Sequence, residues 1–169
     1  MKNIVLTGFM GTGKTEVGKI LSQKLGFVLI DADAEIEREQ KTTITDIFNR
    51  LGEAAFRDME SAMIKRLSVL KKAVLSTGGG AVLRAENMDA LRSNWVIVCL
   101  EATPETILSR TSTSKDRPLL QVADPLQKIR DLYEFRRPYY EKADIIINTD
   151  NISPLQVAEE IIKAVGSKK

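Results

Sequence analysis

Gly8-Phe9-Met10-Gly11-Thr12-Gly13-Lys14-Thr15 is the stretch of this sequence that decides its fold. It follows a short apolar run, Asn3–Thr7, and opens into a segment with Val17, Ile20, Leu21 and Leu25 at helical spacing. A G-x-x-x-x-G-K-[ST] loop between a strand and a helix is the P-loop signature. Its glycines let successive backbone N–H groups turn inward as a nest for phosphate oxygens, and the helix N-terminus adds partial positive charge. Lys14 is then placed to bridge the outer phosphates of a nucleotide, and the Thr15 hydroxyl to coordinate Mg2+.

Working outward, short β-rich runs alternate with longer helical patterns. The spacing predicts strands at Asn3–Thr7, Phe27–Asp31, Ala73–Thr77, Trp95–Leu100 and Asp144–Thr149. Helices are expected at Lys14–Leu25, Asp33–Gln40, Ile44–Leu51, Glu53–Leu70, Glu86–Arg92, Pro104–Arg110, Leu126–Lys142 and Pro154–Val165. Most of the strands are continuous apolar runs, as expected where both faces are covered. Alternating strands and helices imply right-handed βαβ units: an α/β protein of three layers, α/β/α, around a parallel sheet. Ligands in such sheets bind at the carboxyl ends of the strands. Thr111–Asp124 is polar and lacks a helical face, so it reads as a surface loop, and Pro138 should kink or break the helix that contains it.

Bulk composition removes several functional classes. The 169 residues suit a single domain, and 25 Lys and Arg against 23 Asp and Glu give a net charge of only +2. That balance provides no general field for nucleic acid or an anionic membrane, so functional positive charge must be local. No apolar run is long enough for a membrane span or a signal-peptide core. The single Cys99 cannot form an internal disulfide, which fits a cytoplasmic setting. With no histidine at all, Ser-His-Asp hydrolysis, histidine acid/base chemistry and most zinc sites are excluded.

The remaining candidates follow the strands. The third strand, a frequent site for a magnesium-associated Asp in P-loop proteins, ends in Ser76-Thr77-Gly78-Gly79-Gly80 without a carboxylate. The second supplies one instead, at Asp31-Ala32-Asp33, where i, i+2 spacing sends both carboxylates the same way. One can serve a metal while the other reaches a substrate hydroxyl; a plainer reading makes Asp33 a helix N-cap and Asp31 a polar strand end. The three glycines permit close approach of a ligand, or simply make a flexible turn. Arg57, Arg117 and Arg136 are candidates for capturing a carboxylate or a transferring phosphoryl group, tasks suited to the guanidinium fork. No Asn-Lys-x-Asp motif points to a GTPase, and the chain is too short for a motor domain with a coupling element.

In order along the whole chain, these elements resemble the shikimate kinase family. They are the P-loop, Asp31-x-Asp33, Gly52-Glu53-x-x-Phe56-Arg57, Gly78-Gly79-Gly80, Arg110, Arg117-Pro118-Leu119-Leu120 and Arg136-x-Pro138-x-Tyr140. Thr15 stands where many members have Ser, a neutral exchange for a metal-ligating hydroxyl. The resemblance implies a fold like that of the nucleoside monophosphate kinases. Its parallel sheet would have five strands in the order 2-3-1-4-5, with a shikimate-binding helical region at about 33–60 and a lid at about 112–124. Gly11, Thr12, Gly13, Lys14, Thr15 and Glu16 would hold the ATP phosphates, and Thr15 with Asp31, the latter through water, the Mg2+. Arg110 would flank the adenine and Arg117 would reach from the lid to the phosphates. Asp33, Arg57, Gly78, Gly79, Gly80 and Arg136 would hold shikimate, its carboxylate between the two arginines. Catalysis would fall to Asp33, Lys14 and Arg117.

The implied activity is transfer of the ATP γ-phosphate to the shikimate 3-hydroxyl, within the route to chorismate and the aromatic amino acids. The implied protein is a cytoplasmic monomer with no nucleic-acid or membrane partner. Two rivals stay open at this point. One is a kinase of the same fold acting on gluconate or a nucleoside monophosphate; the other is a catalytically silent ATP-binding module.

Overall fold

The computed structural model describes residues 1–112 and 122–167. Strands β1 (Asn3–Gly8), β2 (Val28–Asp31), β3 (Ala73–Ser76), β4 (Trp95–Glu101) and β5 (Ile145–Asn148) form one parallel sheet in the order β2-β3-β1-β4-β5. Helices α1 (Lys14–Leu25), α2 (Ala32–Gln40), α3 (Ile44–Leu67), α4 (Ala85–Arg92), α5 (Pro104–Thr111), α6 (Pro125–Tyr140) and α7 (Pro154–Ser167) connect and follow the strands. A 3-10 turn at Ala81–Leu83 was not foreseen. Among the described residues, no helix is long and apolar enough to cross a membrane.

The apolar strand runs divide by parity, because successive side chains leave a strand on opposite faces. On β4, Trp95, Ile97 and Cys99 join the core under α3 and α4, while Val96, Val98 and Leu100 join the one under α1 and α7. On β1, Val5 goes to the first core and Ile4 and Leu6 to the second. The expectation of strands covered on both faces holds for the central β1, β3 and β4. It fails at the edges, where β2 begins with an exposed Val28 and β5 exposes Ile146.

Two helices behave differently from their sequence pattern. The patterns at Ile44–Leu51 and Glu53–Leu70 run together as α3, joined across Gly52, whose φ of 82° and ψ of 171° are not helical. The break expected at Gly52 is therefore real, although the helix resumes at once. Pro138 neither kinks nor breaks α6 early; it sits in the last turn, and the helix ends two residues later at Tyr140. Its missing N–H falls where the helix is about to stop anyway. Thr111 likewise belongs to α5 rather than to the following loop, with its hydroxyl donating to the Ile107 carbonyl.

Candidate active site

The phosphate cradle is built at the carboxyl end of β1. Gly8 ends the strand with φ of 127°, and a Cβ there would strike the Leu100 carbonyl of the neighbouring β4. Only glycine allows the chain to leave the sheet at that point. The Thr12 hydroxyl turns inward and donates to the Phe9 carbonyl (2.8 Å), stapling the loop on itself. Lys14 donates to the carbonyls of Gly8 (2.8 Å) and Phe9 (2.9 Å), which holds its ammonium group against the loop. Helix α1 then starts from Gly13 without a side-chain cap, so its first-turn N–H groups are not taken by a capping oxygen. Glu16 pairs with Lys19 at 2.8 Å, which leaves its backbone rather than its carboxylate to serve a phosphate.

Beside the cradle, the end of β2 presents the two aspartates. Asp31, and not Asp33, caps α2: its Oδ1 accepts from the N–H groups of Asp33 (3.0 Å) and Ala34 (3.1 Å). The cap fixes the first turn of α2 and with it the position of Asp33. Burial, helped by the negative charges of Glu60 and Asp31, pushes the Asp33 carboxyl up to about 7, against the pull of Lys14 and Arg57. Such a value suits a group that must take up and release a proton near neutrality.

Glu60 is the functional candidate that sequence reasoning missed. It is 0% exposed on α3, and its Oε2 accepts from Arg57 Nη1 at 2.7 Å. Burial holds its carboxyl above the usual range despite the nearby arginines. The available signal was positional: Phe56, Glu60, Met63 and Ile64 occupy one buried face of α3, and a glutamate there breaks the apolar stripe. Its partner Arg57 also leans on Glu53 (3.3 Å) and lies over the Phe56 ring (5.2 Å).

The glycine run faces all of these groups. A Cβ on Gly78 would lie 3.1 Å from Asp33 Oδ2 and 3.2 Å from Glu60 Oε1. On Gly79 it would lie 3.2 Å from Arg136 Nη1, and on Gly80 it would overlap the Arg57 guanidinium. None of the three has a positive φ, so space rather than backbone freedom demands glycine here. Arg136, from α6, is 8% exposed, with its guanidinium 5.6 Å from the centre of the Phe9 ring.

These residues line one cleft of about 1160 Å3. Its walls include Gly11, Gly13, Lys14, Thr15, Asp31, Asp33, Arg57, Glu60, Gly78, Gly79, Gly80, Arg110 and Arg136. Among the described residues, Thr7 Oγ1, Asp33 Oδ1, Glu60 Oε1, Asn87 Oδ1 and Arg136 Nε are buried polar atoms without a hydrogen-bond partner. Asp33, Glu60 and Arg136 belong to the cleft. Buried polar groups normally find partners, so such a concentration in one concave site marks a place built for a polar ligand.

Comparison with known proteins agrees with this geometry. The shikimate kinase family model matches residues 10–166. The chain belongs to the shikimate kinase family. Within that family, a shikimate kinase from Thermodesulfovibrio yellowstonii is 50% identical over 163 residues, 96% of this chain and 94% of that protein. One from Caldicellulosiruptor saccharolyticus is 50% identical over 169 residues, 100% and 98% of the two chains. Among solved structures, a shikimate kinase from Acinetobacter baumannii in complex with shikimate superposes with a TM-score of 0.94 at 41% identity, covering 100% of this chain and 95% of that one.

Most of the residues picked out by the shikimate kinase resemblance come together in the cleft. Arg110 stands at its edge, donating to the Gly11 carbonyl (3.3 Å) and to the Thr149 hydroxyl (3.0 Å) and carbonyl (2.8 Å). It thereby ties the P-loop to the carboxyl end of β5. Thr12 is buried in the loop and could reach a phosphate only through its backbone. Arg117 and most of the expected lid lie outside the described residues. Of that span, residues 112 and 122–124 are described, and Asp124 caps α6 by accepting from the Gln127 N–H (3.0 Å).

Proposed function

We propose that the cleft transfers the γ-phosphate of ATP to the 3-hydroxyl of shikimate, giving 3-phosphoshikimate and ADP. The observation that carries this reading is the meeting of one raised carboxyl, Asp33, with two guanidinium groups, Arg57 and Arg136, around a side-chain-free glycine run. A compact ring acid with a hydroxyl on one side and a carboxylate on the other is matched by that set. The two arginines would grip the carboxylate, and Asp33 would hold the hydroxyl beside the P-loop.

The residues present also fit Mg2+. Among the described residues, no three His, Cys, Asp or Glu side chains converge as a cation cage. Mg2+ prefers one or two oxygen ligands from protein, with water and substrate phosphate completing its sphere. The Thr15 hydroxyl and Asp31, the latter through water, would supply those ligands. When bound, Mg2+ neutralises charge on the β- and γ-phosphate oxygens.

In the reaction, the 3-hydroxyl oxygen forms a bond to the γ-phosphorus as the bond to the ADP oxygen breaks. Asp33 aligns the hydroxyl and receives its proton, which later passes to solvent. The P-loop N–H groups and Lys14 spread the charge on the phosphoryl oxygens, and Arg117 would add to them from the lid. Arg110 would flank the adenine. Closure of the lid would exclude water, the competing acceptor. A coupled assay of ADP release, with shikimate compared against quinate and gluconate, tests the reading. Shikimate should stimulate release far above the others; equal or greater stimulation by gluconate, or none by shikimate, would refute it.

A further inference from the structure

The Arg136-x-Pro138-x-Tyr140 motif contains a residue that no step above uses. Tyr140 follows Arg136 by one helical turn, so the two side chains share a face of α6. It is 1% exposed, and its ring stands 6.1 Å from that of Tyr133, which in turn lies 6.0 Å from Phe9 of the P-loop. Its hydroxyl donates to the Gly79 carbonyl at 2.8 Å, and it closes on the same spot as Arg136 Nη1: a Cβ on Gly79 would lie 3.3 Å from the one and 3.2 Å from the other. A phenol has one hydrogen; with that committed to Gly79, its oxygen presents only lone pairs to the neighbouring guanidinium.

This arrangement has directional consequences. In a trans peptide the C=O and the following N–H point opposite ways. Drawing the Gly79 carbonyl toward Tyr140 therefore turns the Gly80 N–H to the other side of the chain, where Gly79 and Gly80 line the cleft. The phenol oxygen also gives the guanidinium a fixed, neutral neighbour. Arg57 is bonded directly to the Glu60 carboxyl at 2.7 Å, whereas Arg136 feels Glu60 only at longer range and has the neutral phenol as its neighbour on α6.

We propose that Tyr140 is a positioning residue for the acceptor's carboxylate, aiming the Arg136 guanidinium and the Gly79–Gly80 peptide at one point. The proposal rests on the reading of the cleft as a shikimate site. Tyr140→Phe removes one oxygen and keeps the ring, so the packing against Tyr133 survives. Calorimetric titration with shikimate and with its neutral carboxamide, alongside ADP-release kinetics, provides the test. Kd and KM for shikimate should rise up to about tenfold, the loss expected from one hydrogen bond. Affinity for the carboxamide, KM for ATP, kcat and Tm should stay within about twofold or about 2 °C of the parent. In an Arg136→Ala background, where the aimed guanidinium is gone, the added loss on Tyr140→Phe should shrink markedly.

Unchanged shikimate affinity in Tyr140→Phe would overturn the proposal. So would equal losses for shikimate and its carboxamide accompanied by a fall in Tm, since that is the pattern of a structural role. Failure of the parent protein itself to bind shikimate would instead refute the functional reading, and the proposal with it.

Discussion

Asp33 works against the stability of the fold that holds it. A carboxyl whose folded pKa, about 7, lies above its unfolded value of 3.8 binds protons more tightly when folded. Its contribution to stability is therefore fully present below about pH 4 and is lost as pH rises through about 7. Asp33→Asn keeps a neutral group at every pH. It should raise Tm by a few degrees at pH 8, leave it little changed at pH 4, and lower kcat roughly 100- to 10,000-fold. Thermal melts at the two pH values and one turnover assay check all three; a lower Tm at pH 8 would show that the buried charge is not a burden. In the parent enzyme, if Asp33 takes the hydroxyl proton as proposed, kcat/KM for shikimate should fall on the acid side with an apparent pKa near 7.

At the scale of elements, the glycines decide how the walls meet. Gly80→Ala would press on the Arg57 guanidinium, so KM for shikimate should rise several-fold while ATP binding is kept. Unaltered KM would mean that Arg57 moves without consequence. Gly52 has open space around it, but its φ and ψ lie in a region that essentially only glycine occupies. Gly52→Ala should therefore lower stability by about 1–3 kcal/mol, measurable by denaturant melts. It should also lower kcat, because the first half of α3 would swing relative to the Arg57 half.

The P-loop, the five strands and the presence of the helices, though not all of their ends, were legible because each rests on a local pattern: glycine spacing, apolar parity or a helical stripe. Less legible was anything set by distant neighbours. Asp31 and not Asp33 became the cap, since the strand ends one residue before α2 begins and the preceding side chain is the one that reaches back. Gly78–Gly80 suggested close approach of a ligand but left a loose turn open, and what stands against them, Asp33, Arg136 and Arg57, could not be read from the sequence. Glu60 was one acid among several on a charged helix, and only its burial against Arg57 distinguished it.

For the molecule as a whole, the hands of the cleft come from far-apart stretches: the P-loop, the segment carrying Asp33 and Arg57, and α6 carrying Arg136. A guest lodged among them works as a rivet, adding a tie to direct contacts such as those of Phe9 with Tyr133 and Arg136. Occupancy should accordingly be readable as heat resistance. At a shikimate concentration about 100 times Kd the added stability is ~2.7 kcal/mol, or roughly 5–10 °C for a chain of this size. Scanning calorimetry with and without shikimate would register that rise, and an unmoved melting curve would mean the three hands do not close on one guest.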